Sequence, residues 1–330
     1  MFQGIRQKIR YAMRDAASNA GWQPSLLKQA RGARIVVYHG ICQNDHTRFN
    51  NIFLTLKTFE SHLAFYRKHF NVLSLDDYFE GRFSDDRFNI CISFDDGYAN
   101  NHKYVLPLLE RYEIPAAFFI TGVSQEGHDI LWNDFLGIFS KYGPSILLYD
   151  RQFYRKGRFN RYLSVVDGRA LVERLRDGGF GVKDEMIKTL SSLLPFRDEG
   201  TEEDYWRQMT RQQIADLSAS RWVTIGAHGY YHNDLARISP GEAKLELKRS
   251  KQYLEELTGK EIRSLAFPYG TYKRDTVAAA KEMNFSRLFA LDFHFPEDHS
   301  DPSMRERFIV NPFISAGNQM LATIKKTYAF

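Results

Sequence analysis

Three observations predict an α/β fold in which a parallel β-barrel is surrounded by helices. From Arg34 onward, short continuous apolar runs alternate with helical patterns, and such runs are typical of strands buried on both faces of a parallel sheet. The number of these units and the length of 330 residues favour a barrel over an open sheet. No glycine-rich phosphate loop follows the first apolar run, which argues against a dinucleotide-binding sheet.

The predicted elements follow one another along the chain in a regular order. Apolar runs predict strands at residues 35–38, 72–75, 88–94, 116–120, 223–227, 264–267, 288–291 and 307–310. Helical patterns predict helices at residues 59–70, 103–111, 240–257 and 276–283. We expect Thr58 to cap the first of these helices, and we expect the second to form despite Pro107.

Residues 133–220 interrupt this alternation. They contain helical patterns at 172–176, 185–194 and 205–217, together with a strand pattern at 146–154. We interpret residues 34–330 as the barrel domain and residues 133–220 as a mainly helical insertion within it. Such an insertion is placed to form a lid or one wall of a substrate cleft.

Composition excludes several classes of protein. A hydrophobic content of 43% and a charged content of 26% are those of an ordinary globular domain. Two cysteines cannot build a disulfide scaffold. No apolar run reaches the ~18 residues of a membrane span, and residues 1–30 lack the apolar core of a signal peptide. We therefore expect a cytoplasmic protein.

The first 33 residues form a distinct basic arm. Residues 1–34 carry seven basic side chains and one acid, Asp15, while the whole chain has a net charge of only +5. Residues 2–14 show the pattern of an amphipathic helix. A basic arm suggests an anionic surface as its partner, either a membrane or nucleic acid. We predict peripheral contact with an anionic membrane and no nucleic-acid binding; the alternative is a helix that docks on its own domain.

Two short motifs carry the chemistry. Ser93-Phe94-Asp95-Asp96-Gly97 follows one apolar run, and His228-Gly229-Tyr230-Tyr231-His232 follows another. In a parallel barrel the carboxyl ends of the strands converge on one face, so these side chains are expected to meet there. Two imidazoles and one carboxylate form an open three-ligand metal site. The second carboxylate is then available as a base, and this combination is typical of a metal-assisted hydrolase.

The same motifs carry a family resemblance. The first resembles the T-F-D-D-G motif of the polysaccharide deacetylases, which form the NodB-homology or carbohydrate esterase 4 family, and the second resembles their H-x-x-x-H motif. Ala266-Phe267-Pro268-Tyr269-Gly270 partly matches their R-x-P-Y motif. The likeness covers about residues 34–132 and 221–313, and the flanking residues resemble a circularly permuted subgroup that deacetylates bacterial surface glycans.

This resemblance implies a fold and a set of roles. The fold would be the distorted (β/α) barrel of the NodB type, with the helical insertion added. Asp95 would be the general base, and Asp96, His228 and His232 would bind a divalent metal, for which we expect zinc. The backbone N–H of Tyr269 would form part of an oxyanion hole.

The sequence departs from the family pattern at two points. Ala266 replaces the arginine that orients the base, so another residue must take that role or the base is less constrained. The usual C-terminal leucine-x-histidine motif, which supplies the general acid, is not evident. Because the permuted subgroup has the equivalent strand at the start of the domain, we assign the acid to His39, with His294 as a rival and Asp292 as a candidate to orient it. His39 could instead serve only to end a strand.

The resulting hypothesis is a metal-dependent N-deacetylase that acts on an amino sugar in a glycan or glycan precursor during surface glycan biosynthesis. Its base and acid would work around a metal-activated water. Two alternatives stay open: an O-deacetylase or deformylase acting on a lipid-linked sugar, and a catalytically silent sugar-binding module.

Overall fold

The strands of this protein form a closed parallel barrel and two small accessory sheets. The structure is a computed structural model that describes residues 11, 13, 15–16, 29–193 and 200–328. Its strands are β1 (Ala33–Tyr38), β2 (Ile41–Cys42), β3 (Leu54–Thr55), β4 (Asn71–Leu73), β5 (Asn89–Phe94), β6 (Ala116–Ile120), β7 (Ile146–Tyr149), β8 (Gln152–Lys156), β9 (Tyr162–Ser164), β10 (Val223–Ala227), β11 (Ser264–Ala266), β12 (Arg287–Ala290) and β13 (Met304–Ile309).

Helices surround the barrel and build much of the insertion. They are α1 (Leu56–His69), α2 (Leu75–Phe79), α3 (Leu106–Tyr112), α4 (Trp132–Tyr142), α5 (Leu171–Arg176), α6 (Phe180–Ser191), α7 (Arg211–Ala219), α8 (Pro240–Thr258), α9 (Arg274–Glu282) and α10 (Ala316–Lys325). A π-helical turn, Asn101–Val105, leads directly into α3.

Seven parallel strands close the barrel in the order β1-β13-β12-β11-β10-β6-β5, and β5 pairs again with β1. Strand β4 lies outside this ring and pairs with the first half of β5, while the second half of β5 pairs with β6. The predicted α/β barrel is therefore confirmed. Because all seven strands run in the same direction, their carboxyl ends open on one face.

Successive side chains along each strand point alternately into and out of the barrel. The outward set packs against the helices and forms the main core; Val36 and Tyr38, for example, lie against Phe59 and Leu63 of α1. The inward set has fewer members, which include Ile35, Cys91, Ala117, Phe119, Ala266 and Phe289. This period of two determines which residue at each strand end faces the barrel axis.

Between β6 and β10 the chain folds into a unit with its own core. Strands β7, β8 and β9 form an antiparallel sheet, and α4, α5 and α6 pack beside it around a second apolar cluster. The predicted strand at 146–154 is divided in two by a turn at Asp150 and Arg151, both of which have positive φ. A two-residue hairpin turn requires this conformation, and most such turns contain asparagine or glycine. The Asp-Arg pair here is not a typical turn sequence, so the sequence did not predict the turn.

Several predicted boundaries are wrong. Thr55, not Thr58, caps α1, since its side chain accepts a hydrogen bond from the backbone N–H of Thr58. Residue 75 begins a helix rather than ending a strand, because Ser74 caps α2 by accepting from the N–H of Asp77. The helix predicted despite Pro107 does form, and Pro107 lies where the π-helical turn passes into the first turn of α3.

The amphipathic helix predicted over residues 2–14 lies, apart from Tyr11 and Met13, outside the described residues. Among the helices that the structure describes, none is long and apolar enough to cross a membrane.

Candidate metal centre and active site

Three predicted ligands meet at the carboxyl face of the barrel. The Nε2 atoms of His228 and His232 lie 3.3 and 3.2 Å from the same carboxylate oxygen of Asp96, and all three side chains are buried. Two ligand atoms bound to one zinc ion in tetrahedral geometry are about 3.4 Å apart, given metal–ligand distances of about 2.0–2.2 Å. The spacing of this triad therefore fits a single metal ion.

The orientation of His228 supports the same conclusion. Its Nδ1 lies 2.8 Å from the carbonyl oxygen of Ala266, so Nδ1 carries the proton and donates it to that oxygen. The lone pair of Nε2 is then directed toward Asp96. A backbone carbonyl that fixes the tautomer in this way is the usual support for a metal-binding histidine.

The ligand loops have unusual backbone conformations. Asp96 and His232 both have positive φ, 77° and 55°, which costs free energy in non-glycine residues and is concentrated at functional sites. Gly97 follows with φ of 85°, and a Cβ atom there would lie 3.0 Å from Ile120. Buried Glu246 of α8 accepts backbone hydrogen bonds from Tyr230 and Tyr231 and so holds the loop between the two histidines.

Burial and charge act in opposite directions on the triad. Burial alone would raise the pKa of Asp96, but His232 and His228 hold it well below its usual value. Burial lowers the pKa of His232, whereas for His228 the carboxylates of Asp95 and Asp96 outweigh burial and raise the pKa. For Asp96 and His232 these shifts favour an ionised carboxylate beside a neutral imidazole, the protonation state that a metal ion requires of these two ligands.

Asp95 has a partner that the sequence did not reveal. Arg307 of β13 donates a bidentate pair of hydrogen bonds, both 2.7 Å, to the two carboxylate oxygens of Asp95, and a longer one to the hydroxyl of Ser93. Burial would raise the pKa of Asp95, but Arg307 and His228 lower it. Arg307 thus makes the contact with the base that the family's arginine at position 266 would make. Its guanidinium packs over the rings of Phe119 and Phe289, which belong to the same apolar cluster as Ala266.

His39 directly follows β1 and lines the same cavity as the triad, Asp95 and Arg307. Its carbonyl oxygen accepts a hydrogen bond from Asn101, in the π-helical turn that follows the Asp-Asp-Gly motif. Burial lowers the pKa of the ring, and Nδ1 has no hydrogen-bond partner among the described residues. In contrast, Asp292 and His294 are exposed, and neither lines this cavity.

Tyr269 joins the barrel to the insertion. Its ring lies between the imidazole of His232, with centroids 4.7 Å apart, and the guanidinium of Arg176 from α5, which is 4.2 Å from the ring centroid. Its backbone has a positive φ of 61°. Trp132 of α4 completes the contact by donating a hydrogen bond to the carbonyl of His232. The insertion therefore directly supports the loop that carries His232.

Two neighbouring cavities reach this face. The cavity at the triad has a volume of about 120 Å³, and Asn50, Tyr98 and Asn133 complete its rim. A larger cavity of about 460 Å³ lies beyond it, between the 47–51 loop and the insertion, and Asn133 lines both. Sequence patterns gave no indication of these rim residues because they come from loops and from the insertion.

The chain is similar to known proteins of one family. The family described as polysaccharide deacetylase matches residues 84–183 and 198–288. None of the curated proteins matches the chain significantly. The Streptococcus pyogenes deacetylase PplD, solved in complex with acetate, is 15% identical with a TM-score of 0.56, covering 90% of this chain and 99% of its own. IcaB from Ammonifex degensii is 18% identical with a TM-score of 0.54, covering 90% of this chain and 98% of its own.

A third solved structure, BC0361 from Bacillus cereus, described as a polysaccharide deacetylase, is 14% identical with a TM-score of 0.55 and covers 89% of this chain and 69% of its own. At these identities the likeness to solved structures concerns the fold, whereas the family match covers more than half of the chain. Members of this family generally use a divalent metal, and the buried Asp96, His228 and His232 triad can hold one. This chain belongs to the polysaccharide deacetylase family.

Proposed function

We propose that this protein is a metal-dependent deacetylase that removes the N-acetyl group from an amino sugar in a glycan or glycan precursor. The observation that carries the proposal is the buried triad with Asp95 beside it, because three metal ligands, a separate ionised carboxylate and an adjacent histidine are together what amide hydrolysis needs.

Each residue has a separate role in the proposed reaction. Asp96, His228 and His232 would hold a divalent metal, which we expect to be zinc and which would supply Lewis acidity to the attacking water and the amide carbonyl. Asp95, kept ionised by Arg307, removes the proton from that water. The backbone N–H of Tyr269 donates to the oxygen on which negative charge develops. His39 gives a proton to the nitrogen that leaves, since an amine is a poor leaving group unless it is protonated.

The two cavities indicate how a glycan would lie. Ligand pockets usually have volumes of about 300–1,000 Å³, so the 120 Å³ cavity is large enough only for the acetamido end of a substrate. The 460 Å³ cavity beyond Asn133 falls within that range. Phe49 offers an aromatic ring there, and Asn51 and Asn160 offer amide groups. We propose that the rest of the glycan lies in this larger cavity.

An O-deacetylase or deformylase acting on a lipid-linked sugar would use the same groups, and a silent sugar-binding module would keep the cavity without turnover. Acetate and formate release from a panel of N-acetylated, O-acetylated and N-formylated sugars distinguishes these functions. We expect acetate from N-acetylated sugars, and we expect Asp95→Asn to bind metal but lose turnover by about 10²–10⁴-fold. Release from none of the substrates by the metal-loaded protein would support the silent module instead.

The cytoplasmic location and the membrane contact of residues 1–33 stay predictions, made from the charge and pattern of the sequence. Removal of this arm should leave turnover of soluble substrates intact and weaken binding to anionic vesicles at low salt.

A further inference from the structure

The small sheet of the insertion has an unusual outer face. In its register Ile146 lies opposite Arg155, Leu148 lies opposite Phe153, and Arg155 also lies opposite Leu163. The apolar members of this set are all exposed: Ile146 by 57%, Leu148 by 58%, Phe153 by 52% and Leu163 by 36%. Directly paired residues point to the same side of a sheet, so these side chains form one continuous surface, which we call the outer sheet face.

The inner face of the same sheet is already buried. Leu147, Tyr154 and Tyr162 alternate with the outer residues and pack into the core of the insertion. An antiparallel sheet with one solvated face normally alternates between apolar and polar side chains. Here both faces are apolar, and Val165 and Val166, which follow β9, extend the exposed set. A contiguous exposed apolar surface of this kind marks a binding site.

Basic side chains accompany the outer sheet face. Residues 146–163 contain five basic residues and a single acid, Asp150. Arg155 lies among the apolar side chains and makes no ion pair with a described residue. At the end of the sheet the guanidinium of Arg158 lies 4.6 Å from the ring centroid of Phe159, which is 79% exposed.

We propose that the outer sheet face docks on an anionic lipid bilayer. A folded protein partner would bury the charge of Arg155 unless it placed a carboxylate opposite that residue. Burial of an unpaired charge is strongly unfavourable. A second copy of this chain on a two-fold axis would bring the same cations together. In a bilayer the apolar side chains enter the interface to a depth of about 5–10 Å, while lipid phosphates pair with the arginines above them.

Docking in this way places the active site near the lipid surface. Phe159 and Tyr162 belong to the same hairpin and also line the 460 Å³ cavity. A bilayer under the outer sheet face therefore lies beside the mouth of the cavity that we propose for the glycan. A glycan carried on a membrane lipid would reach the site without leaving the surface.

The test is co-sedimentation of the full chain with vesicles of phosphatidylcholine, with and without phosphatidylglycerol. We expect Leu148→Ser with Phe153→Ser to weaken partition to the anionic vesicles by roughly tenfold or more. Arg155→Gln should weaken it by about fivefold, the effect of one basic residue near an anionic surface. The matched controls are Leu245→Ser with Phe313→Ser, similarly exposed apolar residues elsewhere, and Arg221→Gln; both should bind like the wild type.

Binding is read without turnover, so the outcome does not depend on the proposed deacetylation. Wild-type partition by both outer-sheet variants would overturn the proposal and assign any vesicle binding to other surfaces. The proposal would also be overturned if the wild type formed a dimer without lipid and the Leu148 and Phe153 variant were a monomer, since the face would then join two copies. If that variant does not fold, Arg155→Gln, at an exposed position, decides the question alone.

Discussion

Arg307 and Asp95, which are 212 residues apart in the chain, form a buried bidentate ion pair at the carboxyl face of the barrel. Both oxygens of the proposed base are thus directed by one guanidinium, and this geometry is available to arginine but not to lysine. Ala266 cannot orient the base as the arginine of the family motif does, and Arg307 of β13, two strands away from β11 in the barrel, supplies that cation instead.

Arg307 should act as a positioning residue for the base. Arg307→Met removes the charge that lowers the pKa of Asp95, so the acidic limb of the pH–rate profile should move to higher pH. It also leaves a buried carboxylate without its partner and should destabilise the fold by about 3–5 kcal/mol. Arg307→Lys should restore part of both properties. Arg305→Lys, one inward position earlier on β13, is the control; an unmoved acidic limb in Arg307→Met would show that Arg307 is only structural.

The triad should bind one divalent metal ion per chain. His228→Ala or His232→Ala removes one of the two imidazole ligands, so metal content measured by elemental analysis should fall well below one equivalent in either variant. His294→Ala, an exposed histidine outside the cavity, should keep full stoichiometry. Full metal content in both triad variants would place the metal elsewhere.

His39 should matter most for substrates whose leaving group needs a proton. His39→Ala should lower turnover of an N-acetylated sugar by about 10²–10⁴-fold, and should affect an activated acetyl ester much less. Metal content should not change, because His39 is not one of the ligands. The role as acid fails if both substrates lose the same factor, or if the variant loses its metal.

His62 should make the fold sensitive to acid. It is buried on α1, where its ring bonds to the hydroxyl of Tyr38, and burial lowers its pKa from 6.5 to about 3. The unfolded chain therefore binds more protons between pH 6.5 and 3. The contribution to stability is complete above pH 6.5 and is lost as pH falls, by about 2 kcal/mol at pH 5.

Urea unfolding at pH 7 and pH 5 tests this expectation. His62→Leu should show a smaller loss of unfolding free energy between the two pH values than the wild type, whatever its absolute stability. His299→Gln, on the exposed surface, should lose as much as the wild type. Equal losses in His62→Leu and the wild type would mean that another group is responsible.

Local patterns in the sequence were sufficient for the barrel and for the triad. Continuous apolar runs identify parallel strands because both faces of such strands are buried. The Asp-Asp-Gly and H-x-x-x-H motifs each lie within a few residues, so the potential ligands are visible as neighbours in the sequence. The period of two along β5 and β10 then directs Asp95 and His228 inward, as it does His39 after β1.

Only the tertiary structure decided which residue pairs with Asp95 and what surrounds the candidate metal site. Arg307 reaches the base because β1 pairs with both β13 and β5, and a closure of this kind has no local sequence signal. The same holds for Arg176 and Trp132, which contact the site because the insertion packs on the barrel. Strand period and motif spacing are properties of neighbouring residues, whereas contacts across a closed barrel depend on the register of strands far apart in the chain.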